Sequence, residues 1–143
     1  MSVQGDGGPV QKDYGLRLGE YVALFFTFTC QVKLYHWAAN AYGKHKALDE
    51  LHGHLLDASD KFAESYMGLY HCKPEHGRGA IRLPLAPVVK DGNVDQVSPF
   101  LLHVRDWVVQ LRRQPEIAET ALDNILQDLE SHIDQSVYLY RLR

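Results

Sequence analysis

Leu48, Leu51, Leu55, Phe62, Ala63, Tyr66 and Leu69 recur through residues 44–70 at spacings of three, four and seven. That period places them on one face of a helix, because side chains three and four apart stack along a helix and alternate across a strand. No stretch of the chain shows strand alternation or an internal repeat. A chain whose apolar positions all follow a helical period must bury them helix against helix.

The remaining elements follow from caps and breakers. Asp13 is suited to cap a first helix running to about Asn40, and its apolar positions (Leu16, Tyr21, Val22, Leu24, Phe25, Phe28, Val32, Leu34 and Tyr35) cover more than one stripe. Such a helix is contacted on several sides. Ala41-Tyr42-Gly43 breaks the pattern, with Gly43 expected in a loop, and a second helix is predicted from about Lys44 to Tyr70. Residues 71–97 hold three prolines and three glycines without a sustained period and read as a long connection.

Ser98-Pro99 has the form of an N-cap followed by proline at the first helical position, predicting a short third helix to about Arg113. Gln114-Pro115 stops it. A fourth helix is expected from near Glu116, on the stripe Ile117, Ala121, Leu122, Ile125, Leu129, Ile133, Val137 and Tyr140. The fold class is therefore all-α, an antiparallel four-helix bundle over residues 13–143 with a long connection between helices two and three. Residues 1–12, Gly-rich and polar, are expected to form a disordered arm.

Composition narrows the function. A net charge of −3 with no long basic block argues against nucleic-acid binding. The longest apolar run, YVALFFTFTC, is about half the length of a membrane span, and the N-terminus has no apolar signal core. Two cysteines, Cys30 and Cys72, make no disulfide framework, so a soluble, cytoplasmic protein is the expectation. Eight histidines in 143 residues direct attention to metal or proton chemistry.

The second helix concentrates that chemistry. His45 and Asp49 are four apart, Asp60 and Glu64 are four apart, and Asp49 and Asp60 are eleven apart. Eleven residues return to within about 20° of the starting direction, so all four side chains project from one face. Yet Asp49 and Asp60 lie roughly 16 Å apart along the axis, and metal bonds of about 2 Å cannot bridge that gap. The pairs meet if a second copy of the helix packs antiparallel across a two-fold axis near His54 or Leu55, which generates two sites per dimer. His36, near the end of the first helix, adds an imidazole from the side. Two imidazoles and three carboxylates with no thiolate suit iron or manganese. A solvated acidic face bearing histidines is the plainer reading of the same residues.

His36-Trp37 followed by His45-x3-Asp49-x10-Asp60-x3-Glu64 resembles the ferroxidase signature of the mini-ferritins, the DNA-protection-during-starvation (Dps) family. The surrounding HKALDELHGHLLDASDKFAE resembles the second helix of that family. The resemblance implies a ferritin-like bundle and a di-iron site shared between two-fold-related subunits. His36, His45 and Asp49 would come from one subunit, and Asp60 and Glu64 from its mate. It implies oxidation of Fe(II) by peroxide or dioxygen, with manganese or zinc as substitute ions. His36 and His45 stand closer together than is usual in the family, and the arm carries only Lys12, without the Lys-rich tails that bind DNA. The chain also resembles small ferritin-like proteins of large DNA viruses and phages, which would make the virion an alternative location.

Other arrangements of the same residues remain open. Asp49-x2-His52 with Asp128-x3-His132 would form a site within one subunit. His71, Cys72 and His76 offer zinc three ligands without a fourth. Trp37 and Tyr42, close by in sequence, could quench radicals, but packing as ordinary aromatics is the expectation. A non-catalytic structural or scaffolding module on the same bundle, for instance a virion component, is the alternative function.

Overall fold

The computed structural model describes residues 13–77, 80–91 and 93–142. Four helices account for most of them: α1 Tyr14–Ala38, α2 Tyr42–Tyr70, α3 Val97–Arg112 and α4 Ala121–Arg141. There is no strand among the described residues. The arm expected over residues 1–12 lies outside them.

Contacts at each level of the bundle fix the direction of every helix. Tyr14 stacks on Tyr70 at 4.2 Å at one end of α1 and α2, and His36 stacks on His45 at 3.9 Å at the other. Lys44, early in α2, donates to the carbonyl of Tyr140, late in α4, at 2.9 Å. Arg112 at the end of α3 pairs with Asp123 at the start of α4 at 2.7 Å, and Arg105 with Asp134 at 2.5 Å. Phe25 and Trp107 meet edge to face at 5.0 Å, and Tyr35 and Phe100 at 5.4 Å, closing α1 against α3. Around the bundle the order is α1, α2, α4, α3, each helix antiparallel to both neighbours. Leu18, Phe25, Leu48, Leu51, Leu55, Phe62, Tyr66, Leu101, Leu126 and Ile133 fill the centre, all fully buried.

This order requires the chain to travel the length of the bundle between α2 and α3. The connection rides on α1. Glu75 donates its amide to the Gly15 carbonyl at 2.9 Å, and the His76 Nε2 meets the Gly19 carbonyl at 2.9 Å. Further along, the Gln31 side chain clasps the backbone of Ala86, donating to its carbonyl at 3.0 Å and accepting from its amide at 2.6 Å. Glycine is required where the connection crosses: a Cβ on Gly15 would strike the Glu75 carboxylate, and one on Gly19 its backbone carbonyl.

Several boundaries differ from the sequence reading. Gly43 lies inside α2, because extended backbone at Ala39 and Ala41 reverses the chain before it. Ser98 is not the cap of α3. The Asp95 carboxylate accepts from the amides of Val97 and Ser98 at 3.0 Å each, which leaves Ser98 Oγ buried without a partner and Pro99 in the first turn. The fourth helix starts at Ala121, with Thr120 Oγ1 accepting from Leu122 N at 3.1 Å, and Glu116 belongs to the preceding turns. Leu16 and Leu69, assigned to apolar stripes, are 44% and 48% exposed.

Candidate metal half-site on helices one and two

The three-residue connection Ala39–Ala41 folds the end of α1 back onto the start of α2, so His36 and His45 stack with 28° between their planes. Each ring clasps the backbone of the other residue: His36 Nδ1 lies 2.9 Å from the His45 carbonyl, and His45 Nδ1 lies 3.0 Å from the His36 carbonyl. A carbonyl only accepts, so both Nδ1 atoms carry the proton. In the neutral rings both Nε2 atoms keep a free lone pair. His36 is buried, His45 half-buried.

Asp49, one turn beyond His45, places Oδ1 3.8 Å from His36 Nε2 and 3.8 Å from Lys33 Nζ. Its side chain is 60% exposed and open to the solvent side of the cluster. Two donors bonded to one ion at about 2.0–2.2 Å can lie up to roughly 4 Å apart, so His36 and Asp49 are within reach of a common ion. The Lys33 ammonium supplies the positive charge beside Asp49 that a cation would take over. His52, on the same side, has its imidazole pKa pushed down by burial first and then by Lys33 and His36, against the opposing pull of Asp49.

Asp60 and Glu64 lie farther along the same uninterrupted helix, both exposed. Neither makes an ion pair or side-chain hydrogen bond among the described residues; Lys61 between them pairs with Asp57 at 3.0 Å. The fold thus joins His36, His45 and Asp49 and holds Asp60 and Glu64 apart from them. Among the described residues of one chain, no three His, Cys, Asp or Glu side chains converge to hold a metal ion.

The competing arrangements fare differently. His132 stacks on His54, while His52 lies beside Lys33 and His36, so the two carboxylate–histidine turns do not form a common site. His76 is used against the Gly19 carbonyl, away from any zinc cluster with His71 and Cys72. Trp37 and Tyr42 are 68% and 76% exposed, contrary to the packing expected of them, and Lys33 Nζ lies 5.9 Å from the Trp37 ring centre. Two exposed aromatics beside the histidine pair extend the polar face into an apolar rim.

Two clusters escaped the sequence. His54 and His132 are seventy-eight positions apart and meet only through the α2–α4 packing. Glu116, read as a helix start, is buried at the far end of the bundle, accepting from Arg17 at 2.8 Å and Tyr21 at 3.1 Å on Oε2. Burial raises its pKa, but hydrogen bonds from its own backbone and from Arg17 outweigh that and hold it below the usual carboxylate range. The Tyr21 hydroxyl is pushed up to about 12, by burial and by the Glu116 charge.

Residues 36–140 match a protein family described as a family of unknown function (DUF5856), a span that contains every candidate ligand. No curated protein and no solved structure matches the chain.

Proposed function

The chain belongs to the DUF5856 family, and from the geometry of its own residues we propose that it is a Dps-like ferroxidase, oxidising Fe(II) with peroxide or dioxygen at a site two subunits complete together. The observation that carries this reading is the reciprocal histidine clasp. Two backbone carbonyls fix the protons of His36 and His45 on Nδ1, which is how metal-binding histidines are oriented, and leave both Nε2 atoms without a proton, that of His36 beside Asp49. The single end-to-end connection between α2 and α3 supports it too, since one long crossover is the connectivity of ferritin-like bundles.

In this reading His36 and His45 fix the position of the iron substrate, and Asp49 supplies the first negative charge. Asp60 and Glu64 of a second copy, packed antiparallel on α2, supply the others, with Glu64 able to bridge two ions. Carboxylate oxygens favour Fe(III) over Fe(II), which makes loss of an electron downhill. Two Fe(II) ions give their two electrons to one peroxide, which leaves as two hydroxides. The homo-oligomer this requires is part of the proposal. No helix of the described chain is long and apolar enough to cross a membrane.

The test is anaerobic Fe(II) loading followed by peroxide. A ferric absorbance rise well above that of buffer is expected, lost in the His45→Ala/Asp49→Ala protein at unchanged helicity. A wild-type trace that follows buffer overturns the reading. A second reading, a scaffolding module, is favoured by the exposed Trp37, Tyr42, Leu56 and Leu69, which are 68%, 76%, 48% and 48% accessible. That module would ignore iron and form defined complexes whatever the metal.

A further inference from the structure

The imidazoles of His54 on α2 and His132 on α4 lie face to face, 3.5 Å between ring centres and 10° between planes. They floor a cavity of about 230 Å³ that also takes in Asp57, Lys61, Asn124 and Asp128. Asp128 Oδ2 is 3.5 Å from His132 Nε2, one helical turn before it. This cluster is not part of the candidate iron site. His54 follows His45 by nine residues, two and a half turns, so it projects from the opposite side of α2 and about 14 Å along the axis.

We infer that His54 and His132, with Asp128 beside them, form an interhelical clip for a borderline divalent transition ion, of which Zn²⁺ is the representative. The donor chemistry suits such an ion: imidazole and carboxylate take zinc, nickel and copper(II). The 3.5 Å between Asp128 and His132 is close to the roughly 3.4 Å that separates two donors of a tetrahedral ion with bonds of about 2.1 Å. The lone pairs lie in two nearly parallel ring planes, so an ion between them is admitted when each ring tilts. The histidine χ2 torsion is broad, and that tilt needs no backbone movement. Water completes the shell from the cavity, which makes the clip a site of two or three protein donors.

Lys61, which also lines the cavity, pairs with Asp57 at 3.0 Å. An ion here ties α2 to α4 midway along the bundle and stabilises the folded chain through mass action.

The experiment is calorimetric titration with Zn²⁺ alone, in the His45→Ala/Asp49→Ala background that removes the other imidazole pair, together with thermal unfolding. Expected are about one zinc per chain and a raised midpoint. Adding His54→Ala and His132→Ala is expected to weaken zinc binding by on the order of 10–100-fold and abolish the midpoint shift. Equal zinc binding with and without His54 and His132 overturns the inference. So does an absence of zinc binding in a background protein that melts cooperatively. Neither result bears on iron oxidation, which is read separately.

Discussion

A carbonyl facing each imidazole decides which nitrogen of His36 and His45 is left to do chemistry, and so the clasp matters more than either histidine alone. Exposed Asp60 and Glu64 are the opposite case: among the described residues no ion pair or side-chain hydrogen bond involves them. Asp60→Asn with Glu64→Gln is therefore expected to leave unfolding free energy within about 0.5 kcal/mol of wild type while removing iron oxidation, measured by denaturant titration and ferric absorbance on one preparation. Glu116 makes the reverse prediction. Its folded pKa is depressed, so its contribution to stability is fully present above its ordinary value near 4.5 and is lost as pH falls through the folded value. Glu116→Gln is expected to cost about 3 kcal/mol near neutral pH, the low end for a broken buried pair because Arg17 is 39% exposed. The mutant's stability is expected to fall less steeply than wild type below pH 4.5. Iron oxidation, at the other end of the bundle, is expected to persist in folded Glu116→Gln.

The helix period of residues 44–70 was enough to place α2, because a long amphipathic stripe has one way to be buried. It was enough to put His45, Asp49, Asp60 and Glu64 on one uninterrupted helix, because nothing from Tyr42 to Tyr70 breaks it. Less legible was whatever depends on a partner distant in sequence. Glu116 was withdrawn from α4 by Arg17 and Tyr21. The His36–His45 stack, by contrast, follows from the shortness of the connection between them. Gly15 and Gly19 gave no signal as a track for the crossover, since only the position of Glu75 makes them necessary. Two substitutions test that track. Gly19→Ala drives a methyl into the Glu75 carbonyl and is expected to cost about 1–3 kcal/mol. Gly68→Ala, where an added Cβ meets nothing within 4 Å, is expected to gain about 0.5–1 kcal/mol from helix propensity. Equal effects in thermal unfolding would contradict the packing of the connection on α1.

For the molecule as a whole, the proposed reading makes the His45–Glu64 side of α2 a surface with half a site at each end. Leu56, seven residues after Asp49 and four before Asp60, is 48% exposed near the midpoint of that side. Leu56→Lys is expected to hold the protein monomeric in light scattering and to silence iron oxidation with both half-sites intact. Sharing itself is tested by subunit mixing. His45→Ala/Asp49→Ala chains and Asp60→Ala/Glu64→Ala chains are each expected to be inactive, but a mixed pair rebuilds one complete site from the intact halves. Equal amounts co-refolded are expected to recover about a quarter of the wild-type rate of ferric absorbance, since half the pairs are mixed and each holds one site of two. A mixture that stays at the level of its inactive components would contradict a site shared between subunits.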